Sequence, residues 1–412
     1  MRRIAWLLVI AIFSVLAHGL SQSVEYTKRS KNEVREGPGS YFQLLKVLPK
    51  GVAVPVLKRD GGWVNFKPGS SAGGASAWLS KNCLVESKPT DLLRDLKLEW
   101  QSSKASPSAV AAAIRGFALR YGRITAAVVD TLIDLQNGLF TPEEYALFEV
   151  AKQRDRPANQ VKARSGLADM TKESESSTSM DGLGTGIAAR LASQGLVTNR
   201  QLVKYVNLIA AKLAVVTSYF DTPIKVYVLK GEEPRAYAIP GGFVFLGEGL
   251  IRLCNDEAEL AAIIAHEIAH LAAGHAIKEE FQRRFRVRMD EAFAELEEEL
   301  DQKPDSSETD LEEMIQEAYD DVVKPRLQVF EEEADKGAVM MLAYLGYDAQ
   351  AVPGIVEKTG RVIKNRVKDW TENPFLHLDF EKRNATLLKI LQANPGYAGG
   401  ARNGERFRRM TQ

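Results

Sequence analysis

Cysteine is nearly missing from this chain: Cys83 and Cys254 are the only two in 412 residues. Neither stands at metal-site spacing from another, and two thiols so far apart make no disulfide framework. They fall in different domains, so a bridge between them is not expected. Histidine is almost as scarce, with five in the whole sequence. Net charge is absent as well, since 54 basic residues balance 54 acidic ones. No charge excess therefore draws the chain to nucleic acid, and membrane association is at most peripheral. Long apolar runs are missing after the first twenty residues, so nothing beyond them spans a bilayer, which takes roughly 20 apolar residues. What is present is an ordinary globular composition, 45% hydrophobic and 26% charged. The chain is long enough for two or three cores.

The N-terminus reads as an address. Arg2 and Arg3 precede the apolar run Ile4–Ala17, and small residues around Ala17 and Gly19 lead into polar SQS. This is the layout of a secretory signal over residues 1–22. An uncleaved anchor is the alternative, although the apolar run is short for one. The expected localisation is exported and periplasmic.

Residues 23–88 read as short strands parted by turns. Val52, Val54 and Val56 alternate with the period of a half-buried strand, and EGPGS, LPKG, DGG and KPGSSAGG supply turn residues. VREGPGS, LPKG, GGWVNF with Trp63, and AWLS with Trp78 together resemble bacterial SH3-type domains. The resemblance implies a small all-β barrel that binds peptide or cell-wall material. Trp63 is expected to pack in its core. Residues 89–170 then turn helical and read as a connecting region, with a capping signal at Thr141 and Glu144. Residues 171–186, rich in Ser, Thr and Gly, read as a flexible linker. The principal domain is expected over 187–395, and 396–412 as a disordered tail.

The stretch AAIIAHEIAHLAAGH, residues 261–275, places three of the five histidines and a glutamate in an almost wholly apolar run. Burying such groups is costly unless something inside compensates. Asp256 and Glu259 predict the helix start. His266 and His270 lie four apart on that helix, so both rings leave one face, and Glu267 follows the first. This is H-E-x-x-H, in which two imidazoles hold Zn²⁺ and the glutamate activates water. A catalytic zinc needs a third protein ligand. FEEEADKGAVMM offers Glu331 and Asp335, again four apart, as one ligand and one carboxylate that orients a ligand histidine. His275, nine residues after His266, falls on the opposite side of a continuous helix and is not expected to ligate.

HEIAHLAAGH, EEEAD and AYAIPGGFVFLGEGL together resemble the HtpX/BepA-like zinc metallopeptidases, relatives of the CAAX prenyl protease and the OMA-type proteases. The resemblance covers about residues 183–395. It implies a mainly helical α+β zincin-type domain with a short sheet edge along the active-site cleft. It implies His266, His270 and Glu331 as ligands of one zinc ion per chain, Glu267 as general base and Asp335 as the carboxylate behind a ligand. Ala236, Tyr237, Ala238, Ile239, Pro240 and Gly241 match the edge strand that takes substrate by strand addition. NPFLHLDFEKR supplies His377 and Arg383 at the family's His–Arg spacing, with Leu378 in place of the usual proline. Both are implied to face the active site and stabilise a developing oxyanion, or, for His377, to approach the zinc. The acidic stretch 293–323 reads as two amphipathic helices around a polar turn, a solvated hairpin with an apolar inner face; a mobile lid is the alternative.

The expected function is therefore a zinc-dependent endopeptidase of the bacterial envelope acting on extended or misfolded polypeptides. The alternatives are a zinc-stabilised chaperone that grips such segments and rarely cuts, and an adaptor that binds cell wall or an envelope protein through the SH3-like domain.

Overall fold

The computed structural model describes residues 23–67, 77–89, 125–150, 163, 166–167, 178–275, 307–324, 326–366 and 378–412. The signal segment 1–22, most of the connecting region 89–170 and His377 lie outside the described residues. The chain divides into two compact units, Met1–Pro38 with Leu44–Ser103, and Gly39–Gln43 with Lys104–Gln412. Cys83 and Cys254 are free and buried, one in each unit. Among the described residues no helix is long and apolar enough to cross a membrane.

Among its described residues the first unit is a β-sheet domain, as expected, with seven strands: β1 (Val24–Thr27), β2 (Asn32–Arg35), β3 (Leu44–Leu48), β4 (Ala53–Asp60), β5 (Trp63–Phe66), β6 (Ala77–Ser80) and β7 (Leu84–Val85). They form one antiparallel sheet in the order β3-β2-β6-β5-β4-β1-β7. The register of β4 against β5 shifts between Val56 and Lys58, and the two halves of β4 serve β1 and β5 in turn. Strands β3 and β7 end the order unpaired with each other, so the sheet is open; the closed barrel implied by the SH3-type resemblance is not formed. Val34, Val54, Val64, Phe66 and Leu79 fill its core, and Trp63 is buried as the sequence suggests.

In the second unit, α1 (Ala126–Gln136) and α2 (Pro142–Leu147) come first, and α2 carries the expected capping box between Thr141 and Glu144. Then follow α3 (Thr178–Ala192), α4 (Arg200–Ala214), β8 (Lys225–Leu229), β9 (Ala236–Ile239), β10 (Phe243–Gly247), α5 (Glu248–Leu253) and α6 (Glu257–Ala273). After them run α7 (Ser307–Val323), α8 (Gln328–Leu345), α9 (Ala351–Arg366), α10 (Phe380–Ala393) and α11 (Gly404–Thr411). The three strands order β8-β10-β9, parallel then antiparallel, which leaves β9 at the edge. Strand alternation divides the interior in two. Val226, Val228, Val244 and Leu246 face a core built on α4, α6, α8 and α9. Tyr227, Leu229, Phe243 and Phe245 face a second core built on α1, α3 and α7. Each such side chain contributes about 1.5–3 kcal/mol on leaving water.

Two expectations fail here for a common reason. Residues 178–186 are not a linker but the first half of α3, with Leu183 fully buried. The glycines that suggest flexibility serve contact instead: a Cβ on Gly184 would lie 2.0 Å from the Pro240 carbonyl oxygen. Residues 404–411 are not disordered but form α11, which buries Phe407 and packs against α6 and α4. Arg406 of this helix pairs with Glu257, and Arg402 just before it pairs with Asp256 and Asp348, acids far away in sequence that local composition cannot reveal. The second half of the acidic stretch is α7, whose buried Ile315, Ala318 and Val322 agree with the packed inner face rather than a lid.

Candidate metal centre

Helix α6 is buried on nearly every side, so it lies centrally between α4, α8 and α9. The Asp256 side chain accepts from Glu259 N, as the sequence predicts. In its last two turns, His266 and His270 present Nε2 atoms 3.0 Å apart. Glu331, in the first turn of α8, places a carboxylate oxygen 3.3 Å from each of them. The three donor atoms lie within 4.8 Å of one another. Tetrahedral coordination with bonds of about 2.0–2.1 Å would put neighbouring donors roughly 3.3 Å apart. Donor type and spacing therefore fit zinc, with three protein ligands and a fourth position available.

Tautomers agree with that fit. His266 Nδ1 donates to Asp335 Oδ1 at 2.9 Å, one turn beyond Glu331 on the same face of α8, so its Nε2 lone pair is free for a cation. Arg383, brought in by α10, grips Asp335 through Nε and Nη2 at 2.8 Å each, and Glu331 through Nη1 at 2.9 Å. Burial opposes both carboxylates, yet His266 and Arg383 hold Glu331 well below the usual range and Asp335 below it. Arg383 thus reaches the site as the resemblance implies, but its contacts are to the acids of α8. They describe an anchor for the ligand carboxylate rather than a donor facing an oxyanion.

Glu267 is buried with Oε2 lacking any hydrogen-bond partner, an unsatisfied acceptor beside the three donors. Burial raises its pKa, and Arg326, with Nη1 4.0 Å from Oε2, works in the opposite direction. Arg326 stands five residues before Glu331, and no spacing rule marks it in the sequence. Arg326 Nη2 also donates to the Ala238 carbonyl at 3.0 Å. Gly247 N donates to the Arg235 carbonyl, so odd positions of β9 face β10 and Ala236 and Ala238 turn their backbone groups to the free edge. Pro234–Tyr237 line the same cleft as His266, Glu267 and Glu331, while Ile263, Val352, Ile355 and Val356 form its apolar wall. Of the residues matched to the substrate strand, Ala236–Ile239 are β9 and Pro240 and Gly241 begin the turn to β10.

A proton and a cation compete for His266. Burial disfavours its charged form, but hydrogen bonds and charges from Asp335 and Glu331 push its pKa up to about 10. A pKa raised from 6.5 means that the metal-free protein gains stability from this imidazolium below about pH 6.5 and loses it as pH rises through about 10. The melting temperature of chelated protein is expected to fall across that window, more steeply than that of chelated His266→Asn. Equal slopes would remove His266 as the cause.

Residues 199–391 match the family model described as Peptidase family M48. This part of the chain is a peptidase M48 domain. The β-barrel assembly-enhancing protease of Yersinia pestis is 28% identical over 169 residues, 40% of this chain and 34% of that protein. The mitochondrial metalloendopeptidase OMA1 of Arabidopsis thaliana is 24% identical over 376 residues, 90% of this chain and 71% of that protein. OMA1 of Schizosaccharomyces pombe is 36% identical over 72 residues, 18% of this chain and 21% of that protein. The chain spans about a third of the length of the bacterial relative. The M48 match takes in α4 through most of α10 and so contains every donor of the metal centre.

Proposed function

We propose that the protein is a zinc-dependent endopeptidase that cleaves extended or misfolded polypeptides. The observation that carries this reading is the convergence of two Nε2 atoms and a carboxylate beside the unpartnered Glu267 Oε2. Bound there, zinc supplies Lewis acidity toward a peptide carbonyl and makes water acidic near neutral pH. Glu267 Oε2 takes the proton from the attacking water and returns it to the leaving amine. Asp335 and Arg383 hold His266 and Glu331 in register while this happens. The edge of β9 pairs with an extended chain through backbone groups, which makes the site indifferent to most of the substrate's sequence. The apolar wall from α9 suits a hydrophobic side chain next to the cut, the kind that misfolded proteins expose.

The N-terminal secretory layout supports an exported, periplasmic enzyme. The all-β unit is proposed to recruit it to cell wall or to an envelope protein. The test is zinc content beside cleavage of unfolded casein, for the purified chain before and after chelation and zinc return. One zinc per chain is expected, with cleavage lost on chelation and restored by zinc. Bound zinc with intact casein would reject the peptidase and leave the gripping chaperone.

A further inference from the structure

His275 is not on the far side of the active-site helix, because the helix does not reach it. Gly274 takes φ 76° and closes α6 in a left-handed cap, and His275 N then donates to the His270 carbonyl at 2.9 Å. The chain folds back, and His275 Nδ1 comes to 3.1 Å from His270 Nδ1. With no cation site between them, unlike the two Nε2 atoms, nitrogens this close share one proton, since two lone pairs or two N–H groups would repel. The other face of His270 settles its owner. His270 Nε2 points at His266 Nε2 and Glu331 and must offer a lone pair to bind a cation. The proton is therefore on His270 Nδ1, and His275 Nδ1 accepts it. His275 must then carry its own proton on Nε2, which lies 3.2 Å from Glu333 Oε2. Each assignment forces the next.

We infer that Glu333, His275 and His270 form a relay that fixes the tautomer and orientation of the second metal ligand. It is the counterpart of Arg383, Asp335 and His266 on the first ligand, and it makes His275 and Glu333 positioning residues. Phe330 stacks on the His275 ring, with centroids 4.4 Å apart and planes 21° from parallel, and so sets the ring plane. One stretch of α8 thus supplies the ligand Glu331, the stacking ring and the terminal carboxylate. The two arms differ in strength. The Asp335 side chain is 2% exposed and that of Glu333 is 39% exposed, so solvent weakens the second arm at its outer end.

The inference rests on the reading of His266, His270 and Glu331 as a metal site, not on peptidase activity. Its test is the zinc dissociation constant of the full chain by competition with a chromophoric chelator, together with the melting temperature of the metal-free protein. His275→Ala is expected to weaken zinc about 10–100-fold, with the metal-free melting temperature close to wild type. His275→Gln, whose amide can both accept and donate, is expected to recover part of the loss. Glu333→Ala sits on a half-exposed helix face that tolerates substitution, and decides the matter if His275→Ala does not fold; a severalfold weakening is expected. Glu332→Ala is the charge control, because Glu332 pairs with Lys382 and Gln328 instead. Zinc affinity within twofold of wild type in both His275→Ala and Glu333→Ala overturns the relay. So does an equal loss in Glu332→Ala, which would reduce the effect to unspecific charge. Zinc absent from the wild type would remove the metal reading itself, whereas zinc bound with casein intact would remove only the peptidase.

Discussion

Glu267→Gln is expected to bind zinc at the wild-type stoichiometry and to cleave unfolded casein about 10²–10⁴-fold more slowly. The substitution keeps the side chain's volume and removes the carboxylate to which the proposed mechanism assigns the proton. Glu267 is not among the three donors of the metal centre, so the ligand set is untouched. Its Oε2 is buried without a hydrogen bond, the Arg326 guanidinium standing 4.0 Å away, and an unmade hydrogen bond of this kind costs on the order of 1–3 kcal/mol or more for a charged group. A neutral amide would relieve part of that penalty, so the variant's melting temperature should match or exceed wild type. Loss of cleavage together with loss of zinc would assign Glu267 a structural role instead. Cleavage at the wild-type rate would exclude it as the base.

Arg406→Ala is expected to lower the melting temperature by roughly 6–12 °C, following a loss on the order of 3 kcal/mol. Glu257, the first residue of α6, is fully buried and accepts from Tyr205 and Tyr347 hydroxyls at 2.7 and 2.8 Å and from Asn403 at 2.9 Å. Among the described residues, Arg406 of α11 is the one side chain that sets a positive charge on it, through both Nε and Nη2. Removing the guanidinium leaves a carboxylate in the interior with dipoles but no counter-charge. The side chain of Arg406 is 23% exposed, which keeps the expected loss at the lower end for a buried pair. Because α6 carries His266 and His270, zinc affinity should fall with stability. A melting temperature within about 2 °C of wild type would show that the hydroxyls and Asn403 suffice.

The metal centre was legible in the sequence to an unusual depth because its parts are local. His266 and His270 share one helix face by spacing alone, and Glu331 and Asp335 share another. Helical periodicity converts each pair into a pair of directions without knowledge of the fold. Which of the two carboxylates is the ligand rests on the resemblance; that Asp335 meets His266 is seen only in the structure. The open sheet of the first unit was less legible: turn residues predict strands, but closure depends on whether the two end strands meet, and no single strand carries that information.

The errors share a physical origin. Helical spacing carried past Gly274 puts His275 on the far side, but one left-handed residue reverses the direction of everything after it. Composition marks the glycines of α3 and the arginines of α11 as flexible segments, yet a glycine that admits a neighbouring carbonyl looks the same in sequence as one in a linker. Arg326 carried no signal at all. The sequence by itself determined the reactive groups, their spacing along two helices and the Asp256 cap that starts α6, since all of these are set within a few residues. Only the tertiary structure decided the partners: Arg383 with Asp335, Arg406 with Glu257, Arg326 with the edge of β9, and His275 with His270. Such pairings depend on how buried helices pack, and a charge can be buried only where a distant residue has already been brought to meet it.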